Sequence, residues 1–158
     1  MTISECSNLV CWPTEELRCL DSLRLLYIMN CNNLEGKTSS AKEETLPLSL
    51  EALTISSCCS VVALPSNLGN LTKLKGLNVS WCNALKALPD GLCGLTSLRE
   101  SQIWGCPTLK KLPQGLLERL SALKRVSIID CPDLERRCRE GGEYFHLVSP
   151  VPLKEIHH

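Results

Sequence analysis

Residues 74–85 read LKGLNVSWCNAL and are the clearest copy of a motif that recurs along the whole chain. Cys82 in this motif belongs to a cysteine ladder with a nearly constant spacing: Cys6, Cys31, Cys58, Cys82, Cys106 and Cys131. Self-similarity at such a period is the signature of a repeat protein whose units stack on one another. We therefore predict an α/β solenoid of about six coils.

Each copy of the motif begins with apolar residues that alternate with other residues, which predicts a short strand with one buried face. Leucines three or four apart then predict a 3₁₀ or short helical turn behind it. The architecture would be a parallel concave sheet with an irregular convex side. The coils are predicted to open near Met1, in a truncated copy, and at Leu23, Leu50, Leu74, Leu98 and Leu123. We assign residues 1–138 to the repeats and 139–158 to a C-terminal cap and tail.

Four positions carry further expectations about the core. Trp12-Pro13 occupies the slot filled by Leu-Pro in later copies, so we expect Trp12 to be buried. Met1 and Ile3 stand where later strands have buried residues, and the chain thus begins inside a repeat, as a piece of a longer protein would. Ser101 stands where Leu or Val is expected, which predicts a local core defect or a serine bonded to backbone.

The eleven cysteines invite a disulfide or metal interpretation. Strands stack about 4.8 Å apart, whereas bridged Cβ atoms prefer about 3.8 Å. The chain has no Cys-x-x-Cys, and its histidines are confined to the C-terminal end, which disfavours zinc. We predict that the cysteine ladder is reduced, buried and structural, and that the other cysteines are incidental. Reduced thiols and the lack of a signal-like start favour the cytoplasm or nucleus over secretion.

Other sequence features argue against several function classes. Lys and Arg total 17, as do Asp and Glu, so no net field favours nucleic acid. No apolar run has the length of a membrane span.

Gly36-Lys37-Thr38 copies the end of a phosphate-binding loop, but Cys31 stands where the first glycine of that motif should be. Residues 34–47 are instead predicted to form a polar loop. Apart from His146 near Cys138, no base stands beside a candidate nucleophile in the sequence. We therefore predict that the chain is not an enzyme and has no catalytic residue or metal site.

The strand residues that alternate with the buried ones predict a partner-binding concave surface. Small residues at the third and fourth strands would form its floor, and aromatic side chains would stand beside them. Trp81 could instead fold over the coil edge as a lid, and Glu100 and Arg125 could pair. The predicted protein-binding residues are Tyr27, Met29, Asn78, Trp81, Glu100, Gln102, Trp104, Arg125 and Ile129.

The unit Leu-x-x-Leu-x-Ile-x-x-Cys-x-x-Val-x-x-Leu-Pro at residues 50–65 resembles the leucine-rich repeats of plant nucleotide-binding, leucine-rich-repeat disease-resistance proteins. The similarity is strongest to the coiled-coil type found in cereals, and it covers the chain from Met1 to about Ile156. Residues 131–138 resemble the closing motif of such receptors. The Gly-acidic-Trp and Ile-Pro that follow in the family are replaced here by Gly142-Glu143-Tyr144 and Val151-Pro152-Leu153.

The resemblance implies a sensor module that recognises a pathogen effector or a modified host protein. It also implies that the repeats contact the receptor's own nucleotide-binding domain and help to hold that switch off. ADP or ATP would bind to that domain, which is not in this chain, so no cofactor is expected here.

Two alternatives remain open: the substrate receptor of an F-box ubiquitin ligase, and an extracellular enzyme-inhibiting repeat protein. The residues encoded upstream of Met1 would separate them from an immune receptor. For any of the three, an uncapped first coil that exposes Met1, Ile3 and Leu9 predicts self-association through the N-terminal edge.

Overall fold

Seven parallel strands form one open sheet in the computed structural model, which describes residues 1–36 and 46–157. Within those residues, the strands lie side by side in chain order, and each pairs in parallel with its neighbours in the chain. The strands are β1 (Thr2–Ser4), β2 (Leu25–Met29), β3 (Ala52–Ser56), β4 (Gly76–Ser80), β5 (Glu100–Trp104), β6 (Arg125–Ile129) and β7 (Leu153–His157).

Short helical segments connect these strands, as the leucine spacing predicts. The α-helices are α1 (Thr14–Arg18), α2 (Gln114–Leu120), α3 (Pro132–Cys138) and α4 (Phe145–Val148), and 3₁₀ turns cover Ser66–Asn70 and Leu92–Gly94. The segment predicted as cap and tail contributes α4 and β7, so the sheet has one strand more than the six expected coils. Most of the predicted polar loop, including Lys37 and Thr38, lies outside the described residues.

One face of the sheet is apolar from β2 to β6 and forms the core. In-register positions on neighbouring strands carry Leu26, Leu53, Leu77 and Val126 in one column, and Ile28, Ile55, Val79, Ile103 and Ile128 in the next. All of them are at most 3% exposed. Burying each such side chain stabilises the fold by about 1.5–3 kcal/mol. We call this the inner face.

Three core expectations have different outcomes. Trp12 is buried as predicted, and its indole Nε1 has no hydrogen-bond partner among the described residues. Ser101 is buried between Leu77 and Val126, so a small polar side chain interrupts the apolar column there. Met1 and Ile3 occupy core positions of the repeat but are not buried, as the uncapped N-terminal edge predicts: no described strand packs beyond β1, so Met1 is 51% exposed and Ile3 half-buried.

The cysteine ladder occupies the point where the chain leaves each strand. Five of its six thiols have no exposed surface, and each of these donates to the carbonyl two residues earlier at 3.3–3.4 Å. Burial raises the pKa of Cys58 to about 11 and that of Cys82 to about 12. Two cysteines depart from the sequence analysis. Cys6 is exposed beside the uncovered β1, and Cys138, the last residue of α3, is buried rather than incidental.

The residue before each cysteine of the ladder has a left-handed backbone, which the sequence analysis did not predict. Their φ angles lie between 53° and 59°. Their N–H groups donate to the last carbonyl of the next strand, as Trp81 does to Trp104 at 2.8 Å. Asn, Asp and Gly adopt this conformation at least cost, so their presence in this column was a usable signal. The column comprises Glu5, Asn30, Ser57, Trp81, Gly105 and Asp130.

Candidate functional site

The side chains that alternate with the inner face form the outer face of the sheet. Register places them in three columns. The columns are Leu25, Ala52, Gly76, Glu100, Arg125 and Leu153; Thr2, Tyr27, Thr54, Asn78, Gln102, Ser127 and Glu155; and Ser4, Met29, Ser56, Ser80, Trp104, Ile129 and His157.

The middle of the outer face is recessed relative to its sides, because the residues there are small. On β3 and β4 the columns carry Ala52, Gly76 and two serines, Ser56 and Ser80, whose hydroxyls hydrogen bond to each other at 2.9 Å. Larger side chains stand on the strands to either side, on β2 and on β5–β6. Since strands lie about 4.8 Å apart, these flanks are separated by roughly 14 Å. The result is a shallow floor between two higher flanks.

Trp81 lies in the left-handed turn at the end of β4 and covers the neighbouring turn of β5. A Cβ atom added to Gly105 would lie 2.3 Å from Cε3 of the Trp81 ring, so the ring rests directly on the glycine backbone. The ring is nevertheless 50% exposed. Trp81 therefore covers the coil edge, as the lid alternative expects, and also presents apolar surface to solvent.

Trp104, the last residue of β5, is held across β6 by two hydrogen bonds in series. Its indole Nε1–H donates to Ser127 Oγ at 2.9 Å, and that hydroxyl donates to Glu155 Oε2 on β7 at 3.1 Å. Ser127 is fully buried beneath these groups, whereas the Trp104 ring remains 36% exposed. This relay orients the ring before any partner arrives.

Neither Ser127 nor Glu155 is among the residues that the sequence analysis selects. It assigns residues 139–158 to a cap and tail, so it did not place Glu155 beside Ser127. In β7, Ile156 lies in register with buried Ile128 and packs on the core, whereas Leu153 lies on the outer face.

The remaining predicted residues all lie on the outer face. Tyr27 is 36% exposed, and Met29, Asn78, Gln102 and Ile129 are half-buried.

Glu100 and Arg125 are neighbours on β5 and β6, as expected, and both are exposed. However, no ion pair joins these two described side chains. Exposed Leu25 and Leu153 extend the apolar part of the outer face beyond the predicted set.

A row of charged residues borders the outer face at the start of the strands. We call it the charged row: Arg24, Glu51, Lys75, Arg99 and Lys124. Glu51 receives two hydrogen bonds from Arg24, at 2.9 and 3.0 Å, and one from Lys75 at 3.2 Å. These bonds lower the pKa of Glu51 to about 2, and the bond from Arg24 has the largest effect. In this half of the row, one carboxylate thus pairs with both cations.

In the part of the chain that the structure describes, no three or more His, Cys, Asp or Glu side chains cluster in a way that could hold a metal ion. No helix in residues 1–36 or 46–157 combines the length and the apolar character needed to cross a membrane.

No model of a known protein family matches the chain, and no curated protein matches it either. The features of the molecule that point to a function are those of the outer face and the charged row.

Proposed function

We propose that this protein is a leucine-rich-repeat solenoid and serves as the protein-interaction and sensor module of an intracellular plant immune receptor. Strands in chain order, all parallel and at nearly regular intervals along the sequence, support the solenoid, in which the outer face would be concave. The resemblance of residues 50–65 to the repeats of such receptors supports the family. The single observation that supports a protein-binding role is the pair of exposed indoles, Trp81 and Trp104, beside a floor of small residues.

Exposed tryptophans of this kind favour a protein partner. Tryptophan is enriched among the residues that dominate interface energies, and large exposed apolar patches mark interaction sites. Both rings are already fixed, Trp81 on Gly105 and Trp104 on Ser127, so a partner would lose little entropy by ordering them. The proposed partner is a pathogen effector or a modified host protein. In the whole receptor, the repeats would also contact the nucleotide-binding domain, which would carry ADP or ATP.

The binding part of the proposal is tested with matched truncations. Partners captured by the wild-type chain are purified, and their affinities are compared for wild type, Trp81→Ala/Trp104→Ala and Leu48→Ala. Leu48 is an exposed leucine outside the strands and serves as the apolar control. We expect the double variant to bind at least about tenfold more weakly and Leu48→Ala to bind normally. Unchanged affinity in the double variant, or a loss explained by its unfolding, would refute the proposal.

The receptor part is tested by reading the sequence encoded upstream of Met1. A nucleotide-binding domain there supports an immune receptor in the cytoplasm or nucleus. An F-box would instead support a ubiquitin-ligase substrate receptor, and a signal peptide would support an extracellular inhibitor. Either of these two results would overturn the assignment to an immune receptor.

Self-association is also proposed for this chain, through the exposed edge of β1. Met1 and Val10 are both 51% exposed near that edge. Sedimentation should show concentration-dependent association that Ile3→Lys weakens, because a charge on an edge strand disfavours pairing. A strictly monomeric wild-type profile at high concentration would contradict this.

A further inference from the structure

The two halves of the charged row differ in how their charges are balanced. Glu51 lies between Arg24 and Lys75 and bonds to both. Arg99 and Lys124, which directly precede β5 and β6, have no carboxylate between them in the row, and Arg125 follows Lys124 as the first residue of β6. All three of these cations are exposed, and within the described residues none of them makes an ion pair.

The backbone keeps the row closely spaced. The N–H groups of Arg99 and Glu100 donate to the carbonyl of Lys75 at 2.9 and 3.0 Å, and those of Lys124 and Arg125 donate to the carbonyl of Arg99 at 2.7 and 3.1 Å. Side chains in such a row project from strands about 4.8 Å apart. Like charges on adjacent strands repel, and an anion between them would relieve that repulsion.

We propose that Arg99, Lys124 and Arg125 form a second subsite on this sheet, one that takes the carboxylate side chains of a bound protein segment. Glu51, held between Arg24 and Lys75, illustrates the arrangement within the same protein: a carboxylate accepts hydrogen bonds from cations that precede neighbouring strands. The occupant is an acidic protein segment rather than nucleic acid. Glu51, Glu100 and Glu155 on or beside the same face would repel a continuous line of phosphates, whereas single carboxylates can be placed between them.

This inference deepens the proposed function and rests on it, since both place a protein partner on the outer face. Arg125 begins the strand β6 on which Ser127 supports the Trp104 ring. The start of β6 lies roughly 13 Å from its end. A partner lying across β5 and β6 would therefore place an apolar side chain on Trp104 and an acidic one on the cations.

The test uses a fluorescein-labelled hexaglutamate peptide and fluorescence anisotropy at low ionic strength. Arg99→Glu/Lys124→Glu should weaken peptide binding by about tenfold or more, because each lost pair becomes a repulsion. The control, Lys86→Glu/Lys111→Glu, makes the same change in net charge at exposed residues outside the strands. Equal losses in the two variants would show that only net charge matters and would overturn the proposal.

A complementary variant should create binding rather than remove it. Glu51→Gln frees Arg24 and Lys75, so the charged row would offer a second place for carboxylates, and the stoichiometry or affinity for hexaglutamate should rise. Glu118→Gln removes one negative charge from the surface of α2 and should have no such effect. Unchanged peptide binding by Glu51→Gln would contradict the role given to the row.

Two further measurements separate this subsite from the proposed function. Trp81→Ala/Trp104→Ala should bind hexaglutamate normally, although it should lose the captured partner. If Arg99→Glu/Lys124→Glu keeps full affinity for that partner, the subsite fails and the aromatic site stands. Tighter binding of a single-stranded DNA hexamer than of hexaglutamate would also overturn the proposal, because it would identify the row as a phosphate site.

Discussion

The two faces of the same strands differ in how much their residues vary from strand to strand. On the inner face, in-register positions repeat one chemistry, as Ile28, Ile55 and Val79 do, because each must pack against the strand above and below. On the outer face, the position that holds Met29 on β2 holds serine on β4 and Trp104 on β5. Stability and recognition are therefore carried by alternate residues, and the outer face can change without loss of the fold.

The largest contrast between the faces should come from truncating neighbouring residues of β4. Leu77 is 1% exposed on the inner face, whereas Asn78 is half-buried on the outer face. Leu77→Ala should lower the free energy of unfolding by about 3–5 kcal/mol. Asn78→Ala should lower it by less than about 0.5 kcal/mol. Urea titrations measure both, and similar losses would contradict the separation of roles.

A second prediction concerns the glycine beneath Trp81. Gly105 and Gly141 both have positive φ, but an added Cβ would meet the Trp81 ring at Gly105 and nothing at Gly141. Gly141→Ala should cost about 1 kcal/mol for backbone strain alone. Gly105→Ala should cost about 2–3 kcal/mol, because the ring must also move.

The double variant Trp81→Ala/Gly105→Ala provides the control for this prediction. Removing the ring removes the collision, so it should restore the part of the Gly105→Ala loss that exceeds backbone strain. Additive losses in this double-mutant cycle would show that the ring does not rest on Gly105.

A stabilising variant should result from filling the one polar position of the inner face between β2 and β6. Ser101→Val replaces a buried serine with an apolar side chain whose methyl groups face Leu77 and Val126. We expect about 1 kcal/mol of added stability, seen as a higher melting temperature. Ser4→Val, at an exposed outer position on β1, should change it little. A lower melting temperature for Ser101→Val would mean that the serine has a partner.

The smallest perturbation is chemical labelling of the native thiols. Cys6, Cys19, Cys59 and Cys93 are exposed, whereas five cysteines of the ladder and Cys138 are buried. Burial also raises the pKa values of Cys58, Cys82 and Cys138 to between about 11 and 12, so few thiolates form near pH 8. Four thiols should react quickly, half-buried Cys11 more slowly, and six only on unfolding. Fast reaction of Cys82 would contradict the predicted register.

The parallel strands and the inner-face columns could be predicted because they depend on local alternation and a regular spacing. Exposure of Met1 was predicted from the uncapped N-terminal edge. Exposure of Cys6 was not, since a repeated pattern does not say whether another strand covers a given copy. The strand β7 follows β6 at a longer interval than separates the earlier strands, and its core contact is the single Ile156. The regular spacing therefore did not reveal it.

The outer face was predicted as a set of residues but not as a set of contacts. The positions of Trp104 and Gln102 follow from register alone. The relay from Trp104 through Ser127 to Glu155 and the resting of Trp81 on Gly105 depend on side-chain rotamers and on positive φ, which spacing does not reveal. The bonding of Glu51 to both Arg24 and Lys75 likewise needs three aligned strands.

Acrylamide quenching of tryptophan fluorescence, with and without a captured partner, tests the central claim most directly. The three tryptophans differ in exposure, at 5% for Trp12, 50% for Trp81 and 36% for Trp104, and single-tryptophan variants with phenylalanine at the other two positions resolve them. We predict that saturating partner protects Trp81 and Trp104 strongly from quenching and leaves Trp12 unchanged. Undiminished quenching of both exposed indoles in the complex would show that the partner binds elsewhere.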